Sequence, residues 1–294
     1  MDFVKKERVL SVLAFGLKCF IFSCFLVVMY TKSKSQNIIG GWSKLDDGLW
    51  YSEYQAMRKS KISDSRISVI KINPEIYKLE LKIAAQTDSI FRTLPQWCSQ
   101  ESYVFAINAG MYSLSNRYKA TGFMRNGDYV NNSTFKDAFN ALLVYNPMVS
   151  NNPKARIVDL SNEKYDDYRN NYSCFIQSIR LIDNTGSPIY WSPKSKLSCS
   201  MTIAAIDKHN HLIFIFTRSP YKPNEMIDFM LKSDLQIVSA MYLEGGPEAS
   251  FYINLPDTSF GKFGSYVSQT YPTDKNKEFR KMPNVIGVKK KTKQ

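Results

Sequence analysis

Alternating apolar and polar residues recur along this chain, and this two-residue period constrains the fold more than any other feature. It is clearest in the segments 66–72, 77–84, 173–182 and 211–217. Successive side chains of a β-strand point to opposite faces, so the alternation is typical of strands with one buried face. With 44% hydrophobic residues, the chain can also fill a sizeable core between such strands.

Turn residues separate several of these strands at hairpin spacing. Asn126-Gly127 lies between the short apolar segments 122–124 and 129–130. Both residue types tolerate positive φ, which a two-residue hairpin turn requires. His209-Asn210 takes a similar position ahead of 211–217. Both sites predict antiparallel neighbours.

The pattern predicts fewer helices than strands. Asn224 is expected to cap a helix over 225–233, because its side chain can accept the unpaired amide hydrogens of the first turn. The apolar run 237–243 that follows is typical of a central strand buried on both faces, and a second short helix is expected within 89–101. We predict one α+β domain over residues 37–288, with a mixed, largely antiparallel sheet and a few covering helices.

Residues 1–36 form a separate segment of export type. Three basic residues precede an apolar run over 9–30 that contains one charge, Lys18. Roughly 20 apolar residues cross a bilayer, although a central Lys costs about 3 kcal/mol on insertion scales. The bulky residues 25–30 fit an uncleaved membrane anchor better than a cleaved signal peptide, which stays an alternative. We expect the domain to lie outside the cytoplasm, membrane-anchored or secreted.

The formal net charge of +13 is concentrated at the two ends of the chain. Residues 1–36 carry six Lys or Arg against two acids and residues 275–294 carry eight against one, which leaves +2 for the rest. A basic face across the folded domain is therefore unsupported, and we expect no nucleic-acid partner. The run 289–294 is expected to be a solvated basic tail.

Few residues of the domain suit metal ligation or nucleophile activation. Cys98, Cys174 and Cys199 have no short metal-type spacing, and one bridge between the last two is compatible with the sequence. His209 and His211 lie in a polar turn, which favours an exposed hairpin over a metal site. We expect no cofactor and no metal motif, although loop carboxylates leave a Ca²⁺ ion open. With so few imidazoles, Ser-His-Asp and Cys-His chemistry lose support.

Glycine and polar residues gather where two apolar strands end. Residues 104–107 are followed by Asn-Ala-Gly-Met-Tyr over 108–112, and residues 240–243 by Glu-Gly-Gly-Pro-Glu over 244–248. Glycines there allow a ligand to approach the backbone closely. Residues at strand ends on a rigid sheet commonly carry function. The second stretch alone would also suit an ordinary turn.

Five features follow one another in a fixed order over roughly residues 66–254. They are the strand end 108–112, the hairpin 122–128, Gln177-Ser178, a Thr-bearing strand with its hairpin over 201–212, and a helix before a strand ending in acid-Gly-Gly over 225–246. In this order and spacing the chain resembles the phosphodiester glycosidase family, whose bacterial members are often linked to exopolysaccharide.

The resemblance implies hydrolysis of the bond between a sugar's anomeric carbon and a phosphodiester oxygen, typically with release of N-acetylglucosamine. A phosphate monoester leaves as a stable anion because its second pKa is about 6, so a sparse site suffices. Glu244 would activate water or stabilise the sugar cation, with Asn108 and Thr202 as the other catalytic candidates. The expected substrate-binding residues are Gly110, Gln177, Arg218, Gly245 and Gly246.

Two residues depart from the family pattern. Glu244 replaces the usual Asp and reaches about one methylene further, and a displacement near 1 Å can cost about 100-fold in rate. Met201 replaces the Arg that usually precedes Thr202, and Met cannot grip a phosphate with a bidentate fork. Arg218 or Lys222 would have to supply that charge.

Two further functions remain open on the sequence. The departures at Met201 and Glu244 also suit a non-catalytic glycan- or polysaccharide-binding protein that kept the fold. The basic ends also suit a scaffold held at an anionic membrane by charge. An uncleaved anchor with its basic end inside would place the C-terminal tail on the other side, which argues against that scaffold.

Overall fold

The computed structural model describes residues 38–292 except Leu114, and they form three β-sheets with two α-helices. The expected export segment 1–36 lies outside the described residues. Both described helices, at eight and ten residues, are too short to cross a bilayer.

The largest sheet has seven strands. Their spatial order is β1 (Ile38–Asp46), β2 (Leu49–Gln55), β3 (Arg66–Ile72), β13 (Leu212–Tyr221), β12 (Cys199–Asp207), β14 (Ile237–Gly245) and β11 (Arg180–Ile182). The predicted strand 66–72 is confirmed at both ends, and the apolar run 237–243 is the core of β14. β14 lies between β12 and β11, so it is a central strand as expected.

Two five-stranded sheets complete the fold. The second sheet runs β7 (Tyr129–Asn132), β6 (Met124–Asn126), β10 (Tyr172–Ser178), β8 (Ala141–Pro147) and β9 (Ala155–Asp159). The third runs β16 (Thr258–Phe263), β15 (Ser250–Leu255), β5 (Phe105–Asn108), β17 (Asn284–Lys290) and β4 (Tyr77–Ile83). The α+β class is confirmed, but every strand pairing of the described residues is antiparallel, so the sheets are not mixed.

Both predicted hairpins form. The first connects β6 to β7 through Gly127-Asp128, one residue later than the predicted pair Asn126-Gly127, because Asn126 is the last residue of β6 and pairs with Tyr129. Gly127 has a φ of +59°. At the second hairpin the Asp207 carboxylate accepts from the amides of His209 and His211 at 2.8 and 2.9 Å. The same carboxylate lies 2.9 Å from His211 Nδ1. Both histidines thus belong to a turn.

The predicted strand 173–182 is two strands in two different sheets. β10 pairs with β6 and β8 of the second sheet, whereas β11 pairs with β14 of the first. The chain therefore changes sheets at Ile179, between the two elements. Continuous alternation in the sequence hides such a break because both halves keep one buried face.

Helix α1 (Leu94–Glu101) begins later than predicted from the sequence. Thr93 caps it: its hydroxyl accepts from the Gln96 amide at 3.4 Å, and Gln96 Oε1 accepts from the Thr93 amide at 3.0 Å. Pro95 lies in the first turn, where a missing N–H is tolerated. In a helix begun at residue 89, the same proline would interrupt the hydrogen-bond ladder.

Helix α2 (Pro223–Lys232) forms as predicted, but Asn224 does not cap it. The helix begins at Pro223, and the Glu225 carboxylate accepts from the Lys222 amide at 2.8 Å. Asn224 instead accepts from the Trp191 amide at 2.8 Å and donates to its carbonyl at 3.0 Å. The helix buries Met226, Ile227, Phe229 and Met230 against the seven-stranded sheet.

The main core lies between the three sheets. Aromatic rings connect the first and third sheets: Phe105 stacks on Phe214 at 5.3 Å, and Phe216 meets Phe251 edge-on at 5.4 Å. Burying such a side chain contributes about 1.5–3 kcal/mol. The strand ends above this core are therefore held rigidly, and the candidate site lies among them.

The expected solvated tail begins later than Lys289. Lys289 and Lys290 are the last residues of β17 and form ion pairs with Glu80 and Asp46. Lys291 Nζ donates to the carbonyl of Pro74 at 3.0 Å. Acids on β4 and β1 thus neutralise Lys289 and Lys290, and these two residues belong to the sheet and not to a solvated tail.

The disulfide considered between Cys174 and Cys199 does not form. All three described cysteines are free and buried; Cys174 accepts from Asn146 in the second sheet, whereas Cys199 lies beside Tyr242 in the first. The two thiols therefore belong to different sheets, and no disulfide forms among the cysteines of residues 38–292.

We predict that Cys98, Cys174 and Cys199 are unreactive in the native protein and all reactive after unfolding without reductant. Burial raises the pKa of Cys98 and Cys199 to about 12, so little thiolate is present at neutral pH. Alkylation before and after denaturation, followed by peptide mapping, measures this. A disulfide-linked peptide pair containing Cys174 and Cys199 would contradict the structure.

Candidate active site

The ends of strands from two sheets meet at one point above the core. Asn108 ends β5 of the third sheet, and Glu244 lies near the end of β14 of the first. Thr202 lies on β12, next to β14. The three catalytic candidates, which are far apart in sequence, are thus neighbours in the fold.

The Asn108 side chain joins the two sheets. It is 1% exposed. Its Nδ2 donates to the carbonyl of Glu248 at 3.1 Å, and its Oδ1 accepts from Thr202 Oγ1 and from the Ser250 amide, both at 3.2 Å. Thr202 belongs to the first sheet and Ser250 begins β15 of the third. Its oxygen thus accepts two hydrogen bonds and its amide group donates one, all within the protein. We therefore describe Asn108 as a residue that positions the two strand ends.

A bulge in β14 aims Glu244 towards the site. β12 and β14 pair Ile203 with Tyr242 but Thr202 with Glu244, so Leu243 is an extra residue on its strand. Residues directly opposite in an antiparallel pair share a face of the sheet. Without the bulge, strict alternation would pair Leu243 with Thr202 and send Glu244 to the other face.

Glu244 is a partly exposed residue whose carboxyl group has no cationic partner. No Lys, Arg or His among the described residues forms an ion pair with it. Burial raises the pKa of Glu244 to about 8; the Gly245 amide, which donates to Oε1 at 2.9 Å, opposes the rise, and the charge of Glu248 adds to it. The carboxyl therefore holds a proton at neutral pH.

Tyr112 and Glu248 complete the cluster, and sequence reasoning placed neither in the site. Tyr112 Oη donates to Glu248 Oε1 at 3.5 Å. Burial raises the pKa of Tyr112 to about 12, and the charges of Glu248 and Glu244 add to the rise. On the sequence, Glu248 is either a second carboxylate for the pair or an exposed loop acid, and the loop acid is favoured. The structure has Glu248 partly buried and in contact with Tyr112. The available signal was a second acid directly after the Gly-Gly-Pro turn.

The glycines of the site serve packing. A Cβ on Gly245 would lie 2.1 Å from Tyr242 Oη, and one on Gly246 would lie 2.3 Å from Val267 Cγ2. Gly246 also has a φ of +74°, which favours glycine. A side chain at either position would therefore clash with neighbouring protein, so packing alone requires glycine there. Gly110, with a φ of +107°, turns the chain between Asn108 and Tyr112.

The structure does not bring Gln177 to the cluster. Its Oε1 accepts from the amides of Phe123 and Lys136, both at 3.0 Å. Its Nε2 donates to the carbonyls of Lys136 and Phe139, at 2.9 and 2.8 Å. All four hydrogen-bonding positions of the side chain are occupied, so Gln177 holds the 123–139 loop and has none left for substrate.

Arg218 is likewise engaged elsewhere. Its Nη2 donates to Asp274 Oδ1 at 2.7 Å and to the carbonyl of Asn276 at 2.8 Å, and its Nη1 donates to the carbonyl of Phe263 at 2.9 Å. Its charge is neutralised by Asp274. Arg218 therefore holds the segment 263–276 in place through these hydrogen bonds. Val267 of this segment packs against Gly246, so Arg218 stabilises the turn that follows Glu244. The expected phosphate contact is not formed by this arrangement.

Neither of the other positions considered for a phosphate cation supplies one. Met201 is fully buried in the core between the seven-stranded sheet and helix α2. Lys222 is exposed at the start of α2, beside the ion pair between Arg58 and Glu225. Met201 is uncharged, and Lys222 forms no ion pair with Glu244 or Glu248.

A separate polar cleft of about 780 Å³ lies between β4 and the β6–β7 hairpin. Its lining includes Lys78, Asn126, Ser173 and Cys174, and none of the predicted site residues. Two of its cations are neutralised, since Lys78 pairs with Glu80 and Lys82 with Glu101. Although this cleft is large, it contains none of the catalytic candidates, so we do not assign the site to it.

Comparison with known proteins matches these observations to one family. The model of a family described as phosphodiester glycosidase matches residues 101–289. The catalytic domain of zebrafish N-acetylglucosamine-1-phosphodiester alpha-N-acetylglucosaminidase, in a form auto-inhibited by its pro-peptide, superposes with a TM-score of 0.58 at 12% identity, over 88% of this chain and 87% of that one. A hypothetical protein from Synechocystis gives 0.54 at 12% identity, over 84% and 63%. No curated protein matches this chain.

We predict that Glu244→Gln stabilises the protein increasingly as the pH rises from about 5 to 8. The folded-state pKa of Glu244, about 8, exceeds the ordinary value of 4.5, so the native state binds the extra proton and wild-type stability falls over this range. Glutamine removes this loss, which is at most about 1.4 kcal/mol per pH unit. Urea unfolding at several pH values measures it.

The control is Glu225→Gln, which removes an acid whose pKa the Arg58 guanidinium lowers against the effect of burial. Its stability relative to wild type should not improve as the pH rises. A constant difference between wild type and Glu244→Gln from pH 5 to 8 would show that Glu244 is ionised throughout.

Proposed function

Since the chain belongs to the phosphodiester glycosidase family, we propose that it hydrolyses the bond between the anomeric carbon of a sugar and an oxygen of a phosphodiester. The observation that carries the proposal is that Thr202 contacts both Asn108 and the backbone carbonyl of Glu244, while the carboxyl group of Glu244 has no ion pair among the described residues. A structural ion pair is the usual alternative explanation for an acid with a shifted pKa, and Glu244 forms none among the described residues.

The environment of Glu244 favours a proton donor. The role suggested by the sequence, activation of water, needs an ionised carboxylate, whereas a pKa of about 8 keeps the group protonated at neutral pH. As the bond between the anomeric carbon and oxygen breaks, its electron pair passes to the phosphate oxygen. Glu244 can donate its proton there, and the departing phosphomonoester is a stable anion.

Glu248 supplies the second carboxylate that glycoside hydrolysis generally uses. Its Oε1 accepts from Tyr112, which orients the group towards the site. In this assignment Glu248 accepts a proton from the water that attacks the anomeric carbon, while Glu244 gives one to the leaving oxygen. Protons and charges then balance over the reaction, and no metal is needed as a reactant.

We further propose N-acetylglucosamine as the sugar, because the zebrafish relative is named for its 1-phosphodiester. A role in exopolysaccharide or envelope glycan processing, and a position outside the cytoplasm, follow from the resemblance and from residues 1–36, and are part of the same proposal. The proposal also includes attachment to the membrane through residues 1–36.

One observation favours the alternative, a glycan-binding protein without activity. Met201 is fully buried and leaves a hydrophobic side chain where the family usually has Arg. A site without the arginine that binds the substrate phosphate would keep its contacts with the sugar, and its rate of hydrolysis would fall. Saccharide binding by the wild-type chain without release of sugar would support this function.

We predict that the full chain releases free sugar from methyl-phospho-N-acetylglucosamine and that Glu244→Gln lowers the rate by at least about 100-fold, the usual loss for a general acid. Because the protonated form is active, the wild-type rate should fall as the pH rises through about 8. A coupled assay for released sugar measures both effects.

Glu225→Gln, at a surface ion pair on helix α2, is the matched control and should retain the wild-type rate. Undiminished release by Glu244→Gln would refute the assigned role. A folded wild-type chain that releases no sugar would refute the proposed hydrolysis.

A further inference from the structure

The candidate site presents an electrostatic problem to its proposed substrate. A phosphodiester carries a negative charge. The site contains the carboxylate of Glu248 beside the protonated Glu244, and neither acid forms an ion pair among the described residues. Like charges at short range repel strongly where water is partly excluded. Met201 carries no charge and Arg218 is neutralised by Asp274. A cation from another element is required.

Arg117 is a cation at the edge of this cluster. Its Nη2 lies 3.5 Å from Tyr112 Oη, the group that donates to Glu248. Its charge acts on the site, because it lowers the pKa of Tyr112 against the rise caused by burial and the two acids. The chain of contacts from Arg117 through Tyr112 to Glu248 connects the surface with the carboxylates.

The guanidinium is held in place by aromatic rings and not by an acid. It lies over Phe91 at 5.3 Å and over Tyr112 at 5.4 Å from the ring centres. Nη2 also lies 3.4 Å from the carbonyl of Lys281. Within the described part of the chain it forms no ion pair, unlike Arg58, Arg66, Arg92, Arg156, Arg169, Arg180 and Arg218.

We propose that Arg117 binds the phosphate group of the substrate and so replaces the arginine that is missing at Met201. This inference rests on the proposed function and adds the residue that selects a charged aglycone. Arg117 is exposed and presents N–H groups beyond the two contacts of Nη2, and a guanidinium can bind two phosphate oxygens at once. The contacts with the two rings and with the Lys281 carbonyl restrict the guanidinium before the ligand arrives, which lowers the entropy lost on binding.

The position also explains the role of Tyr112. Its ring supports the guanidinium while its hydroxyl contacts Glu248, so one side chain sets the spacing between the phosphate cation and the carboxylates. A phosphate held by Arg117 would lie on the Tyr112 side of the acids, with its glycosidic oxygen towards Glu244, which protonates that oxygen. Arg117 is thereby a specificity-determining residue, and Tyr112 a positioning residue.

The test measures binding in the full chain carrying Glu244→Gln, so that slow turnover does not obscure affinity. Calorimetric titration compares methyl-phospho-N-acetylglucosamine with the neutral methyl N-acetylglucosaminide. Adding Arg117→Gln should weaken phosphodiester binding by about 10- to 100-fold, as expected for loss of a charged hydrogen-bonded contact, and leave the neutral sugar unaffected. Arg117→Lys should retain part of the affinity, because it keeps the charge and loses the fork.

The matched control is Arg58→Gln. Arg58 also lies over a tyrosine ring, that of Tyr221, but it forms an ion pair with Glu225 on helix α2 and does not contact the candidate site. It should bind both ligands as the parent does. Equal loss of affinity for the charged and the neutral ligand in Arg117→Gln, or no loss, would overturn the inference. Absence of phosphodiester binding in the parent would overturn it as well.

The two proposals fail in different ways. Charge-selective binding that depends on Arg117, together with no sugar release by the wild-type chain, would leave the phosphate contact intact and refute hydrolysis. Sugar release that persists with an unchanged KM in Arg117→Gln would support hydrolysis and refute the contact. Melting temperatures of all variants confirm that each comparison is made between folded proteins.

Discussion

The hydrogen bonds of one buried amide hold the site together. Asn108 reaches Thr202 on the seven-stranded sheet and the Glu248–Ser250 backbone at the start of β15. A buried amide left without these partners costs about 1–3 kcal/mol for each unmet group, so the junction is strongly specified. Because the Asn108 contacts fix both strand ends, the position of Glu244 relative to Glu248 follows from them.

A second set of contacts packs the segment 263–276 against the Gly-Gly turn that follows Glu244. Arg218 ties the segment 263–276 behind the site, and Val267 of that segment fills the space left by Gly246. Burial of Glu244 raises its pKa, and the charge of Glu248 adds to the rise, so the carboxyl stays protonated at neutral pH. Gly246, which the sequence offers as a ligand contact, thus lets Val267 pack closely against the turn. This packing contributes to the burial of the residues around Glu244.

Much of the fold follows from two-residue alternation and turn residues, and part of the site does not. The strand ends at Asn108 and Glu244 were predictable because glycine and polar residues interrupt apolar runs there. The bulge at Leu243 was not, since register depends on the partner strand. Gln177 and Arg218 look like ligand-binding residues until their internal partners are known, because a polar side chain does not reveal in sequence what occupies it.

The central claim is that the Asn108 junction places one phosphodiester between Arg117 and the carboxyl of Glu244. The most direct measurement is a crystal structure of the Glu244→Gln chain with methyl-phospho-N-acetylglucosamine. Our account predicts the glycosidic oxygen within hydrogen-bonding distance of the residue 244 side chain and the phosphate against the guanidinium. A ligand bound instead in the cleft beside Lys78 and Asn126, with the junction empty, would contradict it.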